Sequence, residues 1–279
     1  MTIALIDGDV MAYQACYTRY ERTANNVDGV QRIQLDADGK RVPLEFTTEE
    51  DSRYLRTCWE NFKKNVGRVC DRFYCSEVLI AIKGRDNYRD LLYPEYKLPR
   101  VNSDNSGKLA PFVKNIRNLA EFELEAVPAH GREADDLLRI WSNEARAAGQ
   151  DFIVFSNDKD LRCIPGKHFI VNFDKTKEAL IEVSEHDARV NYYTQLLKGD
   201  MTDNIPGLPG IGPAKASSRV ADCITDADFQ EVVVGSYIEF YDDQWYDYFL
   251  SNGKLIHIQN HLDDYFDCSD WPIVQELRP

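Results

Sequence analysis

The chain has 279 residues, 43% of them apolar, enough for a full core in one large domain or one domain with a smaller appendage. Its 33 basic and 47 acidic residues leave a net charge of −14, which argues against long-range attraction of a polyanion, although where the acids sit and whether cations bind among them decides the local sign. No apolar run approaches the roughly 18 residues of a membrane span, and MTIALID reaches an acid too early for a signal peptide, so a cytoplasmic protein is expected.

In chain order, residues 3–6 are a short apolar run ending in Asp7-Gly8-Asp9, which predicts a buried strand with acids at its carboxyl end. The same pattern predicts strands at 78–82, at 122–127, at 153–155 before Ser156-Asn157-Asp158, and at 169–173 before Asp174. Residues 30–46 alternate around Asp38-Gly39 and read as an inserted hairpin, and NSDNSG at 102–107 reads as a polar hinge or mobile loop. Ala134, Leu137, Leu138, Trp141 and Ala145 recur at helical steps from Glu133, with Gly149 as the stop. Strands alternating with helices predict a mostly parallel sheet with crossovers, in which ligands gather beyond the strands' carboxyl ends. Asp7 and Asp158 lie at two of those ends.

Residues 192–198 read as a helix, 200–212 as a turn, and Pro213 as the first residue of a second helix, where its missing N–H is no loss. Beyond about residue 222 the chain is acidic and aromatic, as in FYDDQWYDYF, and predicts helices packed on the core with their acids toward solvent. The seven cysteines are scattered without a C-x-x-C pair, which argues for reduced, packed thiols. His257 and His261, with Cys268 after them, lack the second ligand pair a zinc site needs.

Four acid clusters stand out: Asp7-Gly8-Asp9, Glu133-Ala134-Asp135-Asp136, Asp158-Lys159-Asp160, and Asp200 with Asp203. Any one of them could simply cap a helix. If they converge, like charges raise one another's pKa, and divalent cations are the simple remedy. Oxygen ligands without histidine or cysteine favour two magnesium or manganese ions, which would clamp a scissile phosphate and generate hydroxide from water. Gly207, Gly210 and Gly212 leave backbone bare ahead of a helix start, and Lys215 adds a charge on its first turn. That combination can hold a nucleic-acid backbone without reading bases.

Taken together, IDGD, YPEYKLPR, EADDLL, SNDKDL and GDMTDNIPGLPGIGPAKA, in this order from residue 6 to 216, resemble the 5′ nuclease or flap endonuclease family, above all the 5′-to-3′ exonucleases of short-tailed phages. The resemblance implies an α/β, PIN-like core over residues 1–185 with an arch or gateway near 84–120. A helix-three-turn-helix DNA-binding region and a helical tail would fill 186–279. It implies Asp7, Glu133, Asp135 and Asp136 on a first metal, Asp158 and Asp160 between sites, and Asp200 and Asp203 on a second. Lys97 and Arg100 would engage the scissile phosphate, Tyr96 would stack on a terminal base, and Gly207, Gly210 and Ile211 would offer carbonyls to a potassium ion. Arg89, Lys108, Lys114 and Arg117 would add backbone contacts.

The implied substrate is duplex DNA with a 5′ end or flap, and also RNA–DNA hybrid, in phage replication, host DNA degradation or RNA primer removal. Replication proteins would meet the acidic tail. One departure is visible: where the family carries a further metal-site aspartate after the second core strand, this chain has Lys83-Gly84, with Asp86 or Lys83 left to substitute. Asp9 likewise replaces a hydroxyl or amide residue. The alternatives are a catalytically weak DNA-end or fork-binding protein and a PIN-type ribonuclease, which would not require the duplex-clamping turn.

Overall fold

The computed structural model describes residues 1–24, 34–35, 41–42, 48–98 and 104–277. Strand β1 (Thr2–Asp7) is the centre of a six-stranded sheet, flanked on one side by β4 (Cys75–Lys83) and on the other by β6 (Asp151–Ser156). β5 (Val127–Ala129) lies outside β4 and β7 (Gly166–Ile170) outside β6, all parallel, and β8 (Ala179–Val183) closes the far edge antiparallel. Residues 3–7 are buried without a break because both faces of the strand are covered. Ala4 and Ile6 pack with α1 (Gly8–Ala24), α2 (Thr48–Phe73) and α4 (Asp104–Leu124), while Ile3 and Leu5 pack with α5 (Ala134–Ala147) on the opposite face.

Three local expectations shift. Residues 122–124 close helix α4, whose buried Val113, Ile116 and Ala120 follow helical steps, so the strand begins only at Val127. The strand expected at 169–173 is β7, set three residues earlier by its pairing with both β6 and β8. Asp104 to Gly107, expected in a loop, open α4, and Asn102 and Ser103 lie outside the described residues. Of the expected hairpin at 30–46, β2 (Gln34–Leu35) and β3 (Arg41–Val42) pair antiparallel.

Beyond the sheet, α6 (Glu185–Lys198) leads into the short β9 (Gly199–Asp200) and β10 (Ile205–Pro206), then α7 (Pro213–Arg219), α8 (Asp226–Tyr241), α9 (Trp245–Ile256) and α10 (Pro272–Leu277). These helices enclose a core of their own around Leu196, Phe229, Val233, Tyr237 and Phe249, and Asp242, Asp243 and Asp247 face solvent. Tyr96 joins that core from the 93–98 segment, which follows α3 (Tyr88–Leu92).

A buried clasp ties the two regions together. Arg89 of α3, 2% exposed, donates through Nη1 and Nη2 to the two oxygens of Asp136 at 2.8 and 2.9 Å, and through Nε to the Leu255 carbonyl at 3.0 Å. Asp136 also accepts from the backbone amides of Glu133 at 2.8 Å and Gln259 at 2.9 Å. One carboxylate thus joins α3, the start of α5 and the segment after α9. Truncating the arginine leaves an uncompensated buried charge, so Arg89→Met is expected to cost about 3–5 kcal/mol in urea unfolding. A loss below about 1 kcal/mol, within the range of an exposed pair, would show that the clasp is not structural.

Candidate active site

The chain enters the centre of the sheet on β1 and returns on the other side of it with β6, so the switch point for ligands lies at the carboxyl ends of these two strands. Asp7 ends β1, buried, its Oδ1 accepting from the Val10 amide at 3.0 Å and its Oδ2 from the Ser156 hydroxyl at 2.7 Å. The same hydroxyl accepts from the Asp158 amide at 3.0 Å, and Asp158 Oδ1 accepts from the Asp160 amide at 2.9 Å. Ser156 therefore locks the loop after β6 against the end of β1. Glu133 and Asp135 sit at the start of α5, just past β5, and Asp200 lies in β9.

The acids respond to one another. Burial and the neighbouring Asp9 charge push Asp7 up to about 7, and Asp158 adds to the effect. Asp135 is raised well above the carboxylate range by burial and by Asp158, Asp7 and Glu133. Asp160 is pushed up to about 7 by burial, Asp158 and Asp200. Burial works against ionised Asp200 too, but the Thr202 amide at 2.7 Å and a hydrogen bond from Asp160 hold it below its usual value. Glu133, Asp135, Asp7, Asp158, Asp160 and Asp200 thus form one electrostatic chain across the carboxyl edge.

At one end of that chain stands a cation. Lys97 Nζ is 2.5 Å from Glu133 and 3.5 Å from Asp203. Burial opposes the charge on Glu133, yet Lys97 and then Arg89 hold its carboxyl below the usual range. The Tyr96 hydroxyl lies 3.1 Å from Glu133 and 3.4 Å from Asp203.

Several expectations change with this geometry. Asp136 is not placed to bind metal, since four donors already take up its buried carboxylate. Tyr96, 7% exposed and bonded to two acids, cannot present its ring to a base. Arg89 is buried in the clasp and unavailable to a nucleic-acid backbone. Arg117 donates to Asp9 at 2.7 Å. Lys114 is exposed, the side chain of Lys108 is not described, and Arg100 lies outside the described residues.

At Gly84 the local packing leaves no room for a side chain. A Cβ at Gly84 would stand 2.3 Å from the carbonyl carbon and oxygen of Ala129, so no aspartate fits there without moving β5. Lys83 and Asp86 are both exposed, and the Lys83 amide donates to Asp9 Oδ1 at 3.1 Å.

In the turn after Asp200, Asp203 is buried beside Lys97 and Tyr96. Gly207 has a packing reason to be glycine, because a Cβ would meet the Lys198 carbonyl carbon at 2.1 Å. Gly210, at φ 69°, and Gly212 have open space instead. The Gly210 carbonyl accepts from Lys215 Nζ at 3.0 Å, and Ile211 is buried in the helical core. Residues not singled out from sequence complete the site: Ser156, Asn87, whose Nδ2 donates to Glu133 at 3.0 Å, and Gln195, which donates to Asp160. Neutral and remote in sequence from the acids they hold, Asn87 and Gln195 carry no local signal.

The donors along the edge are all carboxylate oxygens, the set that suits a hard divalent ion, and the raised Asp7, Asp135 and Asp160 mark charge that such an ion would relieve. As the side chains stand, no three acids, histidines or cysteines among the described residues are arranged to hold one ion, and Lys97 is the cation against Glu133.

Sheet, acid edge and flanking helices define an α/β domain of the resolvase-like class. Residues 2–191 match the model of the 5′-3′ exonuclease N-terminal, resolvase-like domain, and the chain belongs to that family. It is similar to DNA polymerase I of Caldicellulosiruptor bescii, 26% identical over 234 residues that make up 80% of this chain and 24% of that one. DNA polymerase I of Rhizobium leguminosarum is 32% identical over 144 residues, 48% of this chain and 14% of the other. A 5′-3′ exonuclease of Buchnera aphidicola subsp. Schizaphis graminum is 26% identical over 159 residues, covering 53% and 54%. The chain thus spans 24% or less of the two polymerases.

Among solved structures, the bacteriophage T5 flap endonuclease with DNA and metal ions superposes with a TM-score of 0.54 at 13% identity, over 92% of this chain and 99% of that one. The T5 5′-exonuclease with bound zinc gives 0.57 at 12% identity, over 92% and 100%. These show a shared fold, and the family and fold class expected from the sequence are borne out.

Asp7 and Asp160 stand at about 7 against an unfolded value of 3.8, so the folded chain binds more protons than the unfolded one between these values. Their contribution to stability is present at low pH and lost as pH rises through about 7. In chelator, the melting temperature is expected to be lower at pH 8 than at pH 5.5, with divalent ions restoring most of the difference. Equal melting at the two pH values in chelator would contradict the strained acid cluster.

Proposed function

We propose that the chain is a metal-dependent nuclease that hydrolyses DNA phosphodiesters near 5′ ends, as a 5′-to-3′ exonuclease and 5′ flap endonuclease. The observation that carries this reading is the gathering of Asp7, Asp135, Asp158, Asp160 and Asp200 at one sheet edge, where burial and the neighbouring acids raise the pKa of Asp7, Asp135 and Asp160. Two divalent ions, Mg2+ or Mn2+, would supply charge neutralisation and a reactive water there. Asp7, Glu133 and Asp135 would hold the first, Asp200 and Asp203 the second, with Asp158 and Asp160 between them.

The remaining steps belong to the protein. Ser156, bonded to Asp7 and to the Asp158 amide, fixes the two central carboxylates relative to each other. Lys97, 24% exposed beside Glu133 and Asp203, would meet an incoming phosphate and offset charge that builds during cleavage. Arg100, outside the described residues, is proposed to engage the same phosphate. The open backbone at Gly210 and Gly212 serves a helix-three-turn-helix grip on duplex DNA. Potassium is not needed to place positive charge on the Gly210 carbonyl, since Lys215 already does so.

Among the described residues no helix is long and apolar enough to cross a membrane, in keeping with work on DNA in the cytoplasm. RNA in an RNA–DNA hybrid is a further substrate of this reading, and the exposed acids of α8 and α9 are where replication proteins would dock. A second reading, a DNA-end binder of weak activity, is favoured by one observation, the steric exclusion of an aspartate at Gly84.

Digestion of a 5′-labelled duplex, a flap and single-stranded RNA separates these readings. The wild type is expected to release short 5′ products from DNA only with Mg2+ or Mn2+. Asp158→Ala should lower the rate more than about 100-fold with DNA binding nearly intact. Binding without product in either metal would establish the second reading, and Asp158→Ala cutting at the wild-type rate would remove the assigned role.

A further inference from the structure

We infer that Lys97 is the built-in counter-ion of the acid cluster, and that divalent ions entering the site displace its ammonium from Glu133 and release it toward the substrate's phosphate. The inference rests on the nuclease reading and concerns how that site is switched on.

The root of Lys97 is fixed while its tip is movable. Its backbone takes the left-handed conformation at φ 56°, uncommon for a residue with a side chain, and its amide donates to the Asp203 carbonyl at 2.9 Å. The Cα is thereby fastened to the loop that carries Asp203. From that anchor a flexible four-carbon stem carries the ammonium to Glu133 at 2.5 Å, with Asp203 at 3.5 Å, and the side chain remains 24% exposed. It bridges carboxylates from two separate segments, the start of α5 and the turn after β9, at an edge open to solvent.

The other partners of Glu133 are neutral or committed. The Tyr96 hydroxyl and the Asn87 amide bring no net charge. Arg89 acts on Glu133 through space, but its guanidinium is bonded to Asp136 and to the carbonyls of Leu255 and His257. Among the described residues, Lys97 is thus the positive group in direct contact with Glu133, in the position where positive charge relieves the acid chain.

A divalent ion brings twice the charge of an ammonium to the same oxygens, and at a partly buried site that difference outweighs a single lysine contact. Once displaced, the tip of Lys97 swings about its pinned root while Tyr96 and Asn87 keep Glu133 in place. The lysine is occupied when the site lacks metal and available to phosphate when it is loaded. Ion binding and substrate engagement are coupled through one side chain, and by reciprocity a bound phosphate that captures Lys97 strengthens metal binding.

Displacement is read by acylation of the full-length protein with an N-hydroxysuccinimide ester and peptide mass spectrometry, in chelator and in Mg2+, without DNA. Labelling of Lys97 is expected to speed up several-fold with Mg2+, while exposed Lys177 stays constant. In calorimetric titration with Mg2+ alone, Lys97→Met should bind at least about tenfold more tightly than wild type and Lys97→Arg about as the wild type does. Mg2+ binding with Lys97 labelling unchanged or slowed, or with Lys97→Met binding no more tightly, would overturn the displacement and leave the nuclease reading standing. A wild type that takes up no Mg2+ or Mn2+ would overturn the nuclease reading and this inference with it.

Discussion

Repulsion among carboxylates is the constraint on which the rest of the structure depends. Acids from β1, the start of α5, the loop after β6 and β9 are drawn to one edge, and the cost is visible in Asp7 and Asp160, both pushed up to about 7. Such a cluster persists only if the surrounding fold over-determines it. Strands buried on both faces supply that rigidity, because β1 cannot slip by one residue without turning Ile3 and Leu5 into the layer that holds Ala4 and Ile6.

Around the edge, neutral groups do much of the holding. Ser156 joins two strand ends through one hydroxyl, Gln195 bonds Asp160, and Asn87 and Tyr96 bond Glu133. The Arg89–Asp136 clasp fastens the start of α5 to the segment after α9, so the C-terminal helices are part of the scaffold beneath the acids. Gly84 and Gly207 permit backbone contacts close enough that a side chain would break them, at β5 in one case and at the end of α6 in the other. Each device narrows the arrangements open to the acids.

Much of this was legible in the sequence. Apolar runs ending in acids gave β1 and β6, helical spacing gave α5, and Pro213 marked the start of α7. What could not be read were partnerships across long separations. Asp136 reads like Asp135 in EADDLL, and only the burial of Arg89, 47 positions earlier, makes one a structural anchor and leaves the other facing the acid cluster. Tyr96 is expected from sequence to stack on a terminal base, yet it faces inward to two acids. Phe122 sat in an alternating stretch that the helical period of α4 overrode.

Function follows from the same constraint. A strained acid edge beside a partly exposed lysine and an open glycine turn fits the proposed nuclease reading, and family membership assigns the chain to 5′-3′ exonuclease domains. The most direct test is an anomalous difference map from crystals soaked in Mn2+. Peaks among Asp7, Glu133, Asp135 and Asp158, and between Asp160 and Asp200, are expected. Crystals that take up manganese elsewhere and leave the carboxyl edge of the sheet without density would contradict the idea that these acids gather to share divalent ions.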